Sequence, residues 1–256
     1  MKKTQVYIEK LHNLKEWDEY LMQESGLPGP RANLELIQAV AEVGNESRFL
    51  HFLSYTPDIA PVNTQQEFLA CCGTAGLGKL VKNGKSQYFK NLRILSSDPR
   101  WRIRECVAMA LQIFGEEHME ELITEMEMWA KGNCYEKRAA AAALCEPKLL
   151  KKKEQLSKVL EILDYITYSL KDIIDRKDEG FIALKKGLAY CWSVAIVAFP
   201  EEGKQRFEKW VISDDKDIIW IVKENLKKDR LKRMDKEWTE MLKKELVDRF
   251  DENRTD

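Results

Sequence analysis

Gly73-Thr74-Ala75-Gly76-Leu77-Gly78-Lys79-Leu80 is the segment of this 256-residue chain that comes nearest to a known chemical motif. A phosphate-binding loop, G-x-x-x-x-G-K-[ST], cradles phosphates with backbone N–H groups, reaches them with its lysine and holds magnesium through the last hydroxyl. Leu80 stands where that hydroxyl belongs. The preceding residues, Glu67-Phe68-Leu69-Ala70-Cys71-Cys72, follow the capping box Thr64-Gln65-Gln66-Glu67 and so do not form the strand that such a loop leaves. The three glycines are expected to allow close helix packing or a kink, and nucleotide binding is rejected.

Other candidate chemistry is equally sparse. A nucleophilic triad needs a base beside a nucleophile, yet His12, His51 and His118 fall on separate segments with no G-x-S-x-G motif near them. The acidic pairs Glu116/Glu117 and Asp214/Asp215 sit at helix beginnings, where negative charge complements the helix dipole. Cys71, Cys72, Cys106, Cys134, Cys145 and Cys191 lie in apolar helical stretches without a C-x-x-C pair, which suits buried thiols in a reducing compartment. No metal, no cofactor and no catalytic residue are expected, and the chain reads as non-enzymatic.

Charge constrains the partners. A formal net charge of -1 argues against a dedicated nucleic-acid binder, which usually shows a strongly basic domain. Residues 116 to 127 hold six Glu and no Lys or Arg, whereas residues 223 to 236 hold seven Lys or Arg against three acids. Each run reads as a solvated helix face. No run approaches the roughly 18 apolar residues of a membrane span, and Met1-Lys2-Lys3-Thr4-Gln5 leads into a charged helix, so a cytoplasmic protein without membrane contact is expected.

The elements that would position these residues are helices throughout. With 33% charged residues, 12 Gly and 7 Pro, the composition leans toward long amphipathic helices and away from turn-rich β architectures. Apolar spacing of i, i+3/i+4, i+7 dominates. Asp98 and Pro99 supply a cap and a first-turn proline for a helix whose inward stripe is Ile103, Val107, Ala110, Leu111 and Phe114. Further stripes run through Met119 to Ala130, Tyr135 to Cys145, and Leu156 to Leu170. Phe181 to Phe199 is apolar on nearly every face and belongs in the middle of a core. Helices are also expected at about 5 to 23, 31 to 43, 45 to 55 and 65 to 82, with a Pro/Gly break over residues 26 to 30. No Gly-, Ser- or Pro-rich linker divides the chain, so a single domain over 1–256 is expected, closing with a charged helix at 229–252.

Ile103-Arg104-x-x-Val107-x-x-Ala110-Leu111 superposes on Ile218-Ile219-x-x-Val222-x-x-Asn225-Leu226, each preceded by an Asp-bearing turn, and less closely on Glu136-Lys137-x-x-Ala140-x-x-Ala143-Leu144. Asp98-Pro99-Arg100-Trp101-Arg102-Ile103-Arg104 running into Ala108-Met109-Ala110-Leu111 resembles the second-helix consensus of HEAT repeats. Repeat-like units lie at 86–114, 117–145 and 204–228. The whole chain, including Ser25-Gly26-Leu27-Pro28-Gly29-Pro30-Arg31, is similar to a group of bacterial HEAT-repeat proteins of uncharacterised function.

The resemblance implies an all-α fold, an α-α superhelix of about 11–13 helices in stacked antiparallel hairpins, with the second helix of each hairpin lining a concave face. On that face Arg102, Arg104, Lys137, Arg138, Trp220 and Lys223 are the candidate binding residues, and Arg31, near a helix start, is a candidate anion contact or a brace of its turn. A protein partner is the expected ligand. The alternative is a nucleic-acid-binding or DNA-repair protein like the HEAT-like alkylpurine glycosylases, with Lys227 and Lys228 joining those cations on phosphates. A third possibility, a HEAT-like enzyme acting on a small molecule, requires a roomy pocket with convergent polar groups.

Overall fold

The computed structural model describes residues 3–252, with side chains through residue 249. Among these residues there are helices and no strand. The chain divides into two compact units, Met1–His118 and Met119–Asp256.

The first unit contains α1 (Lys3–His12), α2 (Asp18–Gln23), α3 (Leu34–Val43), α4 (Glu46–Leu53), α5 (Gln65–Lys82), α6 (Tyr88–Leu95) and α7 (Trp101–Gly115). Its centre is α5, against which α2, α3, α4, α6 and α7 all pack. Nearly every α5 side chain from Glu67 to Val81 is buried, so the helix has no solvent face. Neighbours can surround it because its side chains are small where they approach. A Cβ at Gly73 would lie 2.8 Å from the Phe49 carbonyl oxygen and 2.9 Å from the Phe52 Cβ, and one at Gly78 would lie 2.6 Å from the Ala110 Cα. Thr74 satisfies its own buried hydroxyl by donating to the Ala70 carbonyl at 2.8 Å. The phosphate-loop look-alike is thus the close-packing face of a core helix. Its lysine is occupied too: Lys79 Nζ donates to the Glu42 and Gly44 carbonyls at 2.6 and 2.9 Å and closes the end of α3.

The second unit contains α8 (Met119–Trp129), α9 (Cys134–Leu144), α10 (Lys153–Tyr168) with a 3-10 turn at Ser169–Asp172, α11 (Glu179–Ala198), α12 (Pro200–Val211), α13 (Lys216–Leu226), α14 (Asp229–Met234) and α15 (Lys236–Glu252). Here α11 plays the central part, packed by α9, α10, α12, α13 and α14. By length and composition alone it would serve as a membrane span, contrary to the expectation that no such run exists, yet 56% of its apolar window is buried among these neighbours. It is the core helix that its all-round hydrophobicity predicts. Asn225 of α13, fully buried, clamps it: the side-chain amide donates to the Leu188 carbonyl at 3.0 Å and accepts the Ser193 N–H at 2.8 Å. Trp192 donates from Nε1 to Thr167 at 3.0 Å and fills the space beside Phe207.

There are 15 α-helices among the described residues, more than expected, because two expected helices are each broken. The segment near 5 to 23 splits where Trp17 turns its indole N–H onto the Leu11 and Leu14 carbonyls. The C-terminal helix splits at Asp235, whose backbone is extended and whose carboxylate takes the Trp238 N–H at 3.0 Å, starting α15 afresh. The helix expected from Pro99 begins at Trp101 instead, since the Asp98 carboxylate binds the Arg100 N–H and holds that residue extended.

Gly78→Ala should lower the unfolding free energy by about 1–2 kcal/mol, because overpacking against Ala110 outweighs the gain in helix propensity. Gly187→Ala in α11, where a Cβ meets only the flexible Arg138 side chain, should be neutral or stabilising. Thermal denaturation of the two variants beside the parent checks both signs.

Candidate functional site

The polar residues of the first unit converge where the starts of α5 and α7 meet the loop of residues 25–33. Thr64 caps α5 by accepting the Glu67 N–H at 3.2 Å, as the capping box predicts, but the Glu67 carboxylate reaches past Thr64 to the Asn63 N–H at 2.7 Å. That places a fully buried carboxylate under α7. Arg102 answers it: Nη1 lies 3.1 Å from Glu67 Oε2, with side chains 6% and 0% exposed. The same guanidinium donates to the Gly29 carbonyl at 2.7 Å and to Asn63 Oδ1 at 3.3 Å, and Asn63 Oδ1 also accepts the Gly29 N–H at 2.9 Å. Three segments far apart in sequence are thereby tied at one buried charge pair.

A second buried pair stands beside it. Arg100 meets both Asp98 oxygens, at 3.0 and 2.8 Å, and donates to the Tyr55 and Ala60 carbonyls at 2.8 and 3.2 Å. Trp101, between these two arginines in sequence, is 45% exposed and lies over the Arg102 guanidinium at 4.4 Å. The result is an indole held from behind by a cation that is itself locked into the core. Ile59 and Val62, on the segment that supplies the Ala60 carbonyl and Asn63, are exposed as well.

The sequence-derived candidates are placed unevenly. Arg102 was expected to face a groove; it is buried, because its partner Glu67 lies 35 residues away in sequence and the pair is joined only by folding. Arg104 is half-buried and donates to the Asp98 and Pro99 carbonyls at 2.6 and 3.0 Å. Arg31 is exposed on the loop pinned by Arg102, while α3 begins three residues later with Asn33, not an anion, accepting the Leu36 N–H. In the second unit Lys137 and Arg138 are half-buried on α9, with the Arg138 stem against Gly187. Trp220 is half-buried on α13 beneath Lys185, whose Nζ is 4.8 Å from the ring centre, and Lys223 is exposed on the same helix. Arg102, Arg104 and Arg31 therefore group in the first unit, and Lys137, Arg138, Trp220 and Lys223 belong to the second.

Sequence reasoning missed the network that organises Trp220. Arg176 bridges Asp215 and Asp217 at 2.8 and 3.1 Å, and Lys185 adds a contact to Asp217 at 3.1 Å. Burial pushes the Asp215 carboxyl up, but hydrogen bonds from Arg176 and from the Ile218 and Asp217 N–H groups outweigh it and hold it below the usual aspartate range. A comparable knot joins Arg206 to Asp164 and Glu202 at 2.9 and 2.6 Å. Aspartates capping α13 were legible in the sequence; their distant arginine was not.

Reactive groups are correspondingly few. The Cys71 thiol is raised by its hydrogen bond with Cys106 and by burial, and burial raises Cys72 and Cys145, which makes all three poor nucleophiles. His51 Nε2 lies 2.7 Å from Asp18, which also accepts from Tyr55, an exposed cluster unseen in the sequence. His118 stacks on Phe114. No group of three or more metal-ligating side chains occurs among the described residues. The chain matches no protein-family model and no curated protein. The most exposed large aromatic of the site is Trp101, which lies over the buried Arg102 guanidinium.

Removing one member of the buried pair leaves the other charge stranded, so Arg102→Ala should cost about 3–5 kcal/mol in urea unfolding, whereas Lys243→Ala at the exposed Lys243–Glu240 pair should cost under about 1 kcal/mol. The lowered Asp215 carboxyl stabilises the fold fully above the unfolded aspartate value near ~3.9 and loses that contribution as pH falls through the lower folded value. Acid unfolding followed by circular dichroism should be shallower for Asp215→Asn below about pH 4.

Proposed function

We propose that the chain is a HEAT-like repeat interaction module, cytoplasmic and without enzymatic activity, which binds a protein partner through the face lined by the second helices of its hairpins. The observation that carries this is Trp101: a large aromatic side chain, exposed at 45%, stacked 4.4 Å from a guanidinium that Glu67, Gly29 and Asn63 hold in place. Binding energy in protein interfaces concentrates in such Trp and Arg anchors, and an anchor ordered before binding loses little entropy when it docks. Ile59 and Val62 supply apolar surface on the adjoining segment, and the half-buried Arg104 flanks it from the next turn of α7.

The remaining charge chemistry supports a scaffold. Arg100, Arg102, Arg176 and Arg206 spend their guanidinium groups on internal carboxylates. Arginines committed in this way leave little for the phosphates of a DNA duplex, and the chain's formal charge of -1 offers no long-range attraction to one.

Native affinity capture with the parent protein and with Trp101→Ala separates the outcomes. Since a central tryptophan typically contributes 2 kcal/mol or more, the variant should retain a captured protein partner about 30-fold less tightly with its melting temperature unchanged. A partner held equally well by both proteins removes Trp101 from the interface. Binding of labelled duplex DNA with a steep salt dependence would assign the surface to nucleic acid.

A further inference from the structure

Arg176, Lys185, Lys204 and Arg206 of the second unit are neutralised by carboxylates within it. Among the surfaces that lack such pairing, two have opposite signs. On α8, which packs inward on α9 and α10, the exposed residues are Glu120, Glu121, Thr124, Glu127 and Met128. Glu120 and Glu127 have no ion-pair partner among the described residues. Around α14, which packs on α11, α13 and α15, Lys232, Arg233 and Lys236 are exposed and Lys228 is half-exposed. None of these four cations has a carboxylate within ion-pair distance among the described residues, although Glu240 senses Lys232 and Lys236 at longer range.

We infer that the basic end formed around α14 is the seat for the acidic α8 face of a second copy of this chain. The inference is independent of the Trp101 surface. The chain is almost neutral overall, and Glu120 and Glu127 on α8 with Lys228, Lys232, Arg233 and Lys236 around α14 give each copy both halves of a complementary contact. No ion pair joins the two faces within one molecule among the described residues. A nucleic acid fits the basic end less well: Arg230 covers the Tyr190 ring at 4.4 Å and takes its hydroxyl as acceptor, leaving no open aromatic on which a base would stack. Because the paired faces are unlike, the contact is heterologous and leaves a free face at each end of a dimer, so association grows with concentration.

Sedimentation equilibrium of the full chain tests this. The average mass should rise with concentration at about 10 mM salt, where charges act over about 30 Å, and return to the monomer at about 1 M, where the range is about 3 Å. Lys232→Glu/Arg233→Glu makes both faces acidic, and Glu120→Lys/Glu127→Lys makes both basic. Each double variant alone should weaken association at least about 10-fold, and an equimolar mixture of the two should associate again. Restoration in the mixture also shows that both variants are folded. A parent protein that stays monomeric at low salt overturns the inference. So does self-association unaffected by either variant, or a mixture that remains monomeric. Binding of duplex DNA by a monomeric parent, lost in Lys232→Glu/Arg233→Glu, would give the basic end a different occupant.

Discussion

A central helix packed by most of its neighbours sets the terms for each unit of this protein: α5 is buried on nearly every side, and α11 keeps only a narrow solvent stripe at Lys186, Tyr190 and Val197. Polar atoms inside such packing need partners within the protein, and the helix can be surrounded only if its neighbours come close. In the first unit α5 meets both demands with glycines, alanines and cysteines along its length and with a threonine that returns its hydroxyl to its own backbone. In the second unit α11 meets them with Trp192 bonded to Thr167 and with the Asn225 clamp on its backbone. Dispersion contacts and apolar burial supply the stability, and the internal hydrogen bonds offset the penalty for drying most of the polar groups, Glu67 Oε1 and Arg102 Nε remaining without a partner among the described residues.

Charge pairs gather at the polar ends of these core helices. Glu67 begins α5 in the dry interior, and a buried carboxylate is tolerated only with a cation and donors around it. Arg102 provides the cation, and its remaining donors tie down the loop at Gly29. One consequence at the surface is an exposed indole lying over that guanidinium. Another is that Arg102, expected at a binding face, has become part of the interior. In the second unit the Arg176 network performs the same service for the start of α13 and, through Lys185, for Trp220.

How much of this was legible in the sequence follows from the range of each interaction. The capping box at Thr64, the inward stripe of α7 and the all-round apolar character of α11 depend on residues within a few positions of one another, and the structure has all three. The rejection of a phosphate loop rested on local context as well, and Lys79 is found closing α3. Pairings across 35 to 73 residues, such as Glu67 with Arg102 and Gly29 with Arg102, leave no periodic signal, so the burial of Arg102 is not legible in the sequence. The breaks near Trp17 and at Asp235 escaped notice because no glycine or proline marks them; an indole and a carboxylate supply the competing hydrogen bonds instead.

Helices α5 and α11 are the structural keystones of their respective units. Native-state hydrogen exchange read by mass spectrometry tests this directly, since amides in the most stable part of a unit exchange only when that whole unit unfolds. Peptides covering Leu69–Val81 and Leu184–Ile196 should be the slowest in their units and should share the unit's global unfolding free energy. Exchange in either segment as fast as in the peripheral helices α1 or α15 would contradict the account.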